Sequence, residues 1–259
     1  MAYSLAPPLI VIVGTTASGK TSLAIELAKK FNGEIICADS RTVYKEMNIG
    51  TAKPTLSERE EVVHHLLDIV SPNQKFNVAQ FQELVFLTIE DVAIRGKLPI
   101  LVGGSGMYID SVIFNYRFAG SNAYRDSTNP RHLSPDVPRQ ELMLRDNTLI
   151  FGIDWPKDIL VERSENRVRA MIKSGLLQES IMLSERYGWD IPAMRSPAYR
   201  SFRGYISGLK TMDKAIADCV VYDGQLARKQ RTWFRRNNSI QWVNDPNIIV
   251  DLTTTFLNT

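Results

Sequence analysis

The chain opens on an apolar run, Pro8-Leu-Ile-Val-Ile-Val13, that breaks at Gly14-T-T-A-S-G-K-Thr21 and resumes with a helical period, Leu23, Leu27 and Phe31 sharing one face. This pattern predicts a buried strand, a glycine-rich turn and a helix over residues 21–31. A second apolar run, Gly33-Glu-Ile-Ile-Cys-Ala38, reads as another buried strand and stops at Asp39-Ser40. A loop follows through Gly50 to Pro54. His64-H-L-L-D-I-Val70 reads as a third strand, and residues 77–94 as a helix with Val78, Phe81, Val85, Ile89 and Val92 at helical spacing. Lys97-Leu-Pro-Ile-Leu-Val102 is a fourth strand that ends at Gly103-Gly-Ser-Gly106.

From about Phe114 to Asn147 the periodicity gives way to Asn, Ser, Pro and Arg, the composition of a loop or a small inserted subdomain. Thr148-Leu-Ile-Phe-Gly-Ile153 restores a strand. Residues 160–187 and 213–236 then read as helices, the first bent or interrupted at Gly175. Strands alternating with helices predict an α/β fold built on a doubly wound parallel sheet, with ligands gathered at the carboxyl ends of the strands. Asp39 and Ser105 both fall at such ends. The expected organisation is one P-loop catalytic domain, residues 1–114 and 148–259, with a reduced insertion region at 115–147 and helices at the C-terminus.

At 259 residues, 44% hydrophobic and 23% charged, the chain can bury a sizeable core. Its net charge of +3 permits an anionic partner without requiring one. Cys37 and Cys219 make no metal-ligand spacing and read as reduced thiols of a cytoplasmic protein. No segment is long and apolar enough to predict a membrane span.

The stretch from Gly14 to Thr21 fits G-x-x-x-x-G-K-[ST], the spacing of a phosphate-binding loop of nucleotide-binding (ATP-binding) proteins. Its glycines let backbone N–H groups converge on phosphate oxygens, Lys20 adds a point charge and the Thr21 hydroxyl is a ligand for Mg²⁺. The loop alone leaves the chemistry open. Hydrolases and kinases of this class normally place an acid at the end of an apolar strand. Here the strand to Val102 ends in glycines and the acid is Asp39, as in some small-metabolite kinases.

Six stretches in order, Gly14-T-T-A-S-G-K-Thr21, Asp39-S-R-T-V-Tyr44, Ile49-G-T-A-K-Pro54, His64-H-L-L-Asp68, Pro99-I-L-V-G-G-S-G-M-Tyr108 and Thr232-W-F-Arg235, resemble the tRNA dimethylallyltransferases (IPP transferases). The resemblance runs from residue 9 to about 236 with a gap in the middle. It implies a P-loop NTPase-like fold and a prenyl transferase that moves a dimethylallyl group from dimethylallyl diphosphate to N6 of the adenosine 3′-adjacent to the anticodon in tRNA. Mg²⁺ is the implied cofactor. The implied partners are the tRNA anticodon stem-loop and dimethylallyl diphosphate, with no membrane and a monomeric enzyme.

The same resemblance implies roles for individual residues. Asp39 and Ser105 are the expected catalytic pair: a base for the N6 proton, and a hydroxyl near the leaving oxygen at a position where Thr is usual. Gly14, Thr16, Ala17, Ser18, Gly19, Lys20 and Thr21, with Arg163 and Arg167 on one helix face, are expected to bind the diphosphate, and Thr21 the metal. Asp39, Ser40, Arg41 and Thr42 are expected to face the target base. From position alone Asp39 also suits a helix cap or a structural carboxylate, Ser105 a turn cap, and the two arginines a solvated face. Arg163-Ser164 departs from the usual Arg-Ile, and Thr42 stands where Gln is common.

Arg228-Lys-Gln-Arg-Thr-Trp-Phe-Arg-Arg236 interleaves basic residues with two aromatics and no acid. Arg228, Arg231 and Arg235 are expected to contact RNA, while an amphipathic helix with buried aromatics and solvated arginines is the plainer reading. His64 and His65 have no metal-ligand spacing and suit buried strand and loop positions, with RNA contact second. The short middle leaves two outcomes open beside tRNA, transfer to a free adenine nucleotide or a binding protein without activity, and the place of Asp39 keeps a small-molecule kinase as a third.

Overall fold

The structure, a computed structural model, describes residues 6–118 and 143–258. The first apolar run is β1 (Leu9–Gly14), followed by α1 (Lys20–Lys30), β2 (Gly33–Cys37), α2 (Leu56–Glu61), β3 (His64–His65), α3 (Val78–Ile94), β4 (Leu98–Gly103) and α4 (Gly106–Ile113). Beyond the insertion region come β5 (Thr148–Ile153), α5 (Lys157–Lys173), α6 (Leu176–Tyr187), α7 (Pro197–Ile206), α8 (Met212–Phe234), β6 (Ile240–Trp242) and α9 (Pro246–Leu257). Six parallel strands pair in the order β3-β2-β4-β1-β5-β6. The expected doubly wound α/β sheet is therefore present.

Strand alternation sorts the core. Val11, Val13, Ile36, Leu101 and Ile150 face α3, α4 and Phe234 of α8, while Ile10, Ile12, Ile35, Ile100 and Phe151 face α1 and α9. A third core stands off the sheet, where Val43, Tyr44 and Met47 pack among α5–α8 around Tyr199 and Phe202. Helix starts follow local chemistry: Asn77 caps α3 by accepting from Ala79 N and Gln80 N at 3.0 Å, and Gln80 answers in a capping box.

One expectation changes. The third strand is two residues long, not seven, because Leu66 and Asp68 adopt left-handed backbone (φ 62° and 57°) and turn the chain away; it returns at Val70 to bridge Tyr44. Lys53 Nζ and Arg59 Nη1 hold the Asp68 carboxylate at 2.6 and 3.1 Å and fix that turn. The interruption expected at Gly175 is present and divides α5 from α6; a side chain would strain its φ of 103°. The insertion region expected at 115–147 falls largely outside the described residues; the chain leading into it is tied down by Gln82, which donates to Ser111 O at 2.6 Å and Tyr116 O at 3.0 Å. Among the described residues no helix is long and apolar enough to cross a membrane.

The carboxyl edge of the sheet gathers the loop after β1, Asp39 after β2, the glycine turn after β4 and Asp154 after β5. Close approach there depends on Gly103: a Cβ at that position would lie 1.9 Å from Ala38 O, one residue before Asp39. Gly103→Ala should therefore destabilise the protein by about 2–3 kcal/mol in urea unfolding, because backbone rather than a mobile side chain must yield. Stability within about 0.5 kcal/mol of the parent would show that the two strand ends are free to separate.

Candidate active site

The loop after β1 leads into the amino end of α1, whose first turn carries no acidic residue and so leaves the positive end of the helix open to an anion. Gly19 stands at the helix start with φ 93°, and Lys20 folds back so that Nζ donates to Thr15 O at 2.5 Å and to Ser18 Oγ at 3.4 Å. Loss of water around that ammonium lowers its pKa to about 8; the negative charge of Asp39 offsets part of the effect and Arg167 adds to it. Residues 16–21, Arg163 and Arg167 line a cavity of about 560 Å³ whose wall contains three cations and no carboxylate. Such a wall forms a cradle suited to an anion.

Both arginines are held from behind. Arg163 lies 4.4 Å over the Trp155 ring and donates to Ser18 O at 3.3 Å, and Trp155 Nε1 donates to the same carbonyl at 3.0 Å. Arg167 donates to Asp223 Oδ2 at 2.6 Å, a buried carboxylate that also accepts from Ser164 Oγ at 2.5 Å. Ser164 thus has a role that the usual isoleucine could not fill. Arg167 Nε is buried without a partner.

On the other side of Asp39 opens a groove of about 660 Å³. Ser40, Arg41, Ser105, Phe76 and Trp233 line it, and Arg195, Arg200 and Lys229 are exposed along it. The Arg200 guanidinium lies 4.2 Å over the Tyr222 ring. Asp39 borders this groove, a small cavity shared with Thr16 and Arg167, and a third cavity shared with Lys20 and Thr21. Its Oδ1 accepts from Arg41 N at 2.8 Å, which fixes the carboxylate without using it as a helix cap. Ser105 precedes α4 but makes no side-chain cap; its Oγ accepts from Ser40 N at 3.0 Å and donates to Ser40 Oγ at 3.3 Å.

Residues 42–136 and 127–237 match the model of the family described as IPP transferase. This chain belongs to the IPP transferase family. A tRNA dimethylallyltransferase of Roseiflexus sp. (strain RS-1) is 38% identical over 275 aligned positions, covering 88% of this chain and 90% of the relative. The full-length tRNA isopentenylpyrophosphate transferase of Bacillus halodurans superposes with a TM-score of 0.82 at 30% identity, covering 97% of each chain. A eukaryotic dimethylallyltransferase acting on tRNA superposes with a TM-score of 0.75 at 25% identity, over 88% of this chain and 70% of that one. The aligned span with the first relative exceeds the 259 residues of this chain, so this IPP transferase lacks stretches that the relative carries.

Several expected site residues sit differently from their expectation. Gly14 does not line the anion cradle; a Cβ there would lie 2.3 Å from Ile153 O, so its glycine serves the packing of β1 on β5. Thr16 lines the cradle, but its N–H is spent on Gln230 Oε1 at 2.7 Å. Thr42 is buried, donates to Asp39 O at 3.3 Å and faces the cavity behind the loop rather than the groove. Arg231 and Arg235 are tied to Asp154 at 2.7 and 3.3 Å, and Arg235 also stacks 4.1 Å from Trp242, so on this helix the unpaired cations are Arg228 and Lys229. His64 Nδ1 lies 2.8 Å from Val62 O, and His65 pairs with the buried Glu34 at 2.6 Å.

Sequence reading missed Gln230, Asp223, Trp155 and Glu179. Glu179 is buried and accepts from Asn48 N, Ile49 N, Gly50 N and Tyr199 Oη, which sets the Ile49–Pro54 loop against the cradle. A usable signal existed: Glu179, Asp223 and Gln230 are polar residues at core-facing helical positions, which burial tolerates only with partners.

Lys20 gives the site a pH dependence. Its ammonium is present below about pH 8 and lost above, so the advantage of wild type over Lys20→Met in pyrophosphate affinity should shrink about tenfold from pH 7 to pH 9. Calorimetric titration of both proteins at the two pH values checks this. An advantage unchanged at pH 9 would place the lysine's charge outside the binding step.

Proposed function

We propose that this protein transfers the dimethylallyl group of dimethylallyl diphosphate to N6 of the adenosine 3′-adjacent to the anticodon in tRNA. The observation that carries the reading is the place of Asp39, between a cradle walled by cations and a groove rimmed by cations and aromatics. The names of the relatives support the same reaction. The diphosphate lies in the cradle against the amides of Ala17 and residues 19–21, with Lys20, Arg163 and Arg167 around it.

As the allylic C–O bond breaks, negative charge grows on the diphosphate where these donors already point, so they favour the transition state over the ground state. The N6 lone pair forms the new C–N bond, and the N6 proton passes to the Asp39 carboxylate, fixed by Arg41 N. The Ser105 hydroxyl, held by Ser40, lines the groove beside Asp39, from where it would reach the leaving oxygen. RNA phosphates lie along Arg41, Arg195, Arg200 and Lys229, and Phe76 and Trp233 flank a base turned out of its stack.

Among the described residues no cluster of three His, Cys, Asp or Glu side chains could hold a metal. Mg²⁺ does not require such a cluster, since it keeps several waters and takes few protein oxygens beside those of a phosphate. Thr21 would hold it, near the Asp39 carboxylate across the cavity they share, and it would neutralise charge on the diphosphate. We further read residues 115–147 as a reduced insertion, since the family match there breaks into two segments. We take the enzyme to be a monomer working on tRNA in the cytoplasm.

With labelled dimethylallyl diphosphate and Mg²⁺, label should appear on unmodified tRNA at the adenosine beside the anticodon. Label on AMP, ADP or ATP alone would establish a free-nucleotide acceptor, and ATP consumption without allyl transfer a kinase. Asp39→Ala should keep pyrophosphate affinity within about threefold and lower turnover about 10²-fold or more. Replacing Arg200 and Lys229 by Gln should reduce the salt slope of tRNA affinity by about one to two counterions. Arg231→Gln should instead lower thermal stability, because it removes the closer of the two arginines on Asp154 and the bond to Trp155 O; equal slopes for all variants would mean that RNA lies elsewhere.

A further inference from the structure

Gln230 stands on the buried face of α8 and reaches two parts of the site with one amide. Its Oε1 accepts from Thr16 N at 2.7 Å, and its Nε2 donates to Gly104 O at 3.0 Å. Thr16 belongs to the anion cradle. Gly104 precedes Ser105, whose Oγ accepts from Ser40 N beside Asp39. We propose that Gln230 is a positioning residue that sets the distance and angle between the diphosphate cradle and the Ser105–Asp39 side of the site, where the acceptor amine is deprotonated.

The residue type follows from the two partners. A backbone N–H at one end requires an acceptor, and a backbone carbonyl at the other requires a donor; a primary amide of this length offers both. Glutamate would set an acceptor against Gly104 O, methionine would satisfy neither group, and asparagine is one methylene too short to span both. The fit is close. A Cβ on Gly104 would lie 2.3 Å from Gln230 Nε2, so the turn comes this near only as glycine.

The contact also takes the Thr16 N–H out of use for phosphate. Ser18 N is turned likewise onto Thr15 O at 3.3 Å. What the loop gives up in donors it gains in a fixed relation to the β4 turn. In-line attack requires the allylic carbon and the amine about 3–3.5 Å apart, and a displacement of about 1 Å costs on the order of 10²-fold in rate. Gln230 thus bears on the chemical step rather than on donor binding.

This inference rests on the allyl-transfer reading. Gln230→Met, close in volume, and Gln230→Asn, which keeps the amide, are compared with wild type in single-turnover transfer at saturating donor and tRNA, and in pyrophosphate binding. The transfer rate should fall about 30- to 100-fold in a cooperatively folding protein, with pyrophosphate affinity within about threefold. A rate within threefold of wild type, or a loss of pyrophosphate affinity that accounts for the whole loss of rate, overturns the proposal. If wild type itself transfers nothing to RNA, the functional reading has failed, and amide exchange at Thr16 tests the tie alone: exchange about tenfold faster in Gln230→Met supports it, and unchanged exchange removes it.

Discussion

A partly desolvated ammonium is the charge around which the site is arranged. Lys20 accepts a lowered pKa to lie against its own loop, bonded to a carbonyl and a hydroxyl rather than to a carboxylate. Its nearest negative charge, Asp39, acts across space. The other cradle cations follow the same rule. Arg163 is carried on the face of Trp155, and Arg167 is neutralised from behind by Asp223, so no carboxylate enters the wall that a diphosphate would occupy. The wall is organised for an anion before one arrives, the condition under which electrostatic stabilisation costs little reorganisation during reaction.

That organisation is transmitted largely by one helix. Along α8, Asp223 anchors Arg167, Gln230 joins the loop to the β4 turn, Arg231 fastens Asp154 and the Trp155 carbonyl, and Trp233 donates to Asp110 Oδ2 at 2.7 Å while closing on Gly106. Burial and the Trp233 bond push opposite ways on Asp110, and burial wins, raising its pKa to about 6. The basic run that suggests an RNA-binding surface therefore has two sides. Arg231 and Arg235 belong to the scaffold, while Arg228 and Lys229 remain exposed and unpaired.

The legible parts of the sequence are those whose signal is local. The strand–loop–helix around residues 9–30, the strand leading to Asp39 and the glycine turn after Val102 can be read from short-range pattern, and together they locate the cradle and Asp39. β6 is invisible because three residues carry no period, and α9 because Ile248-Ile-Val250 and three successive threonines suit a strand as well as a helix. The third strand is over-read because its apolar run continues through a turn that Lys53 and Arg59 impose from elsewhere in the chain. The ties through Glu179, Asp223 and Gln230 span more than fifty residues each, so sequence spacing cannot show their partners even where it marks the polar residue as anomalous.

The proposed reaction requires Asp39 to stand where the cradle and the groove meet. The direct measurement is a crystal structure with pyrophosphate, Mg²⁺ and an anticodon stem-loop. Pyrophosphate is expected against Lys20, Arg163 and Arg167, with an unstacked adenine whose N6 lies about 2.6–3.2 Å from an Asp39 carboxylate oxygen. An adenine bound outside the groove, or seated with N6 beyond reach of Asp39 even through one water, would contradict it.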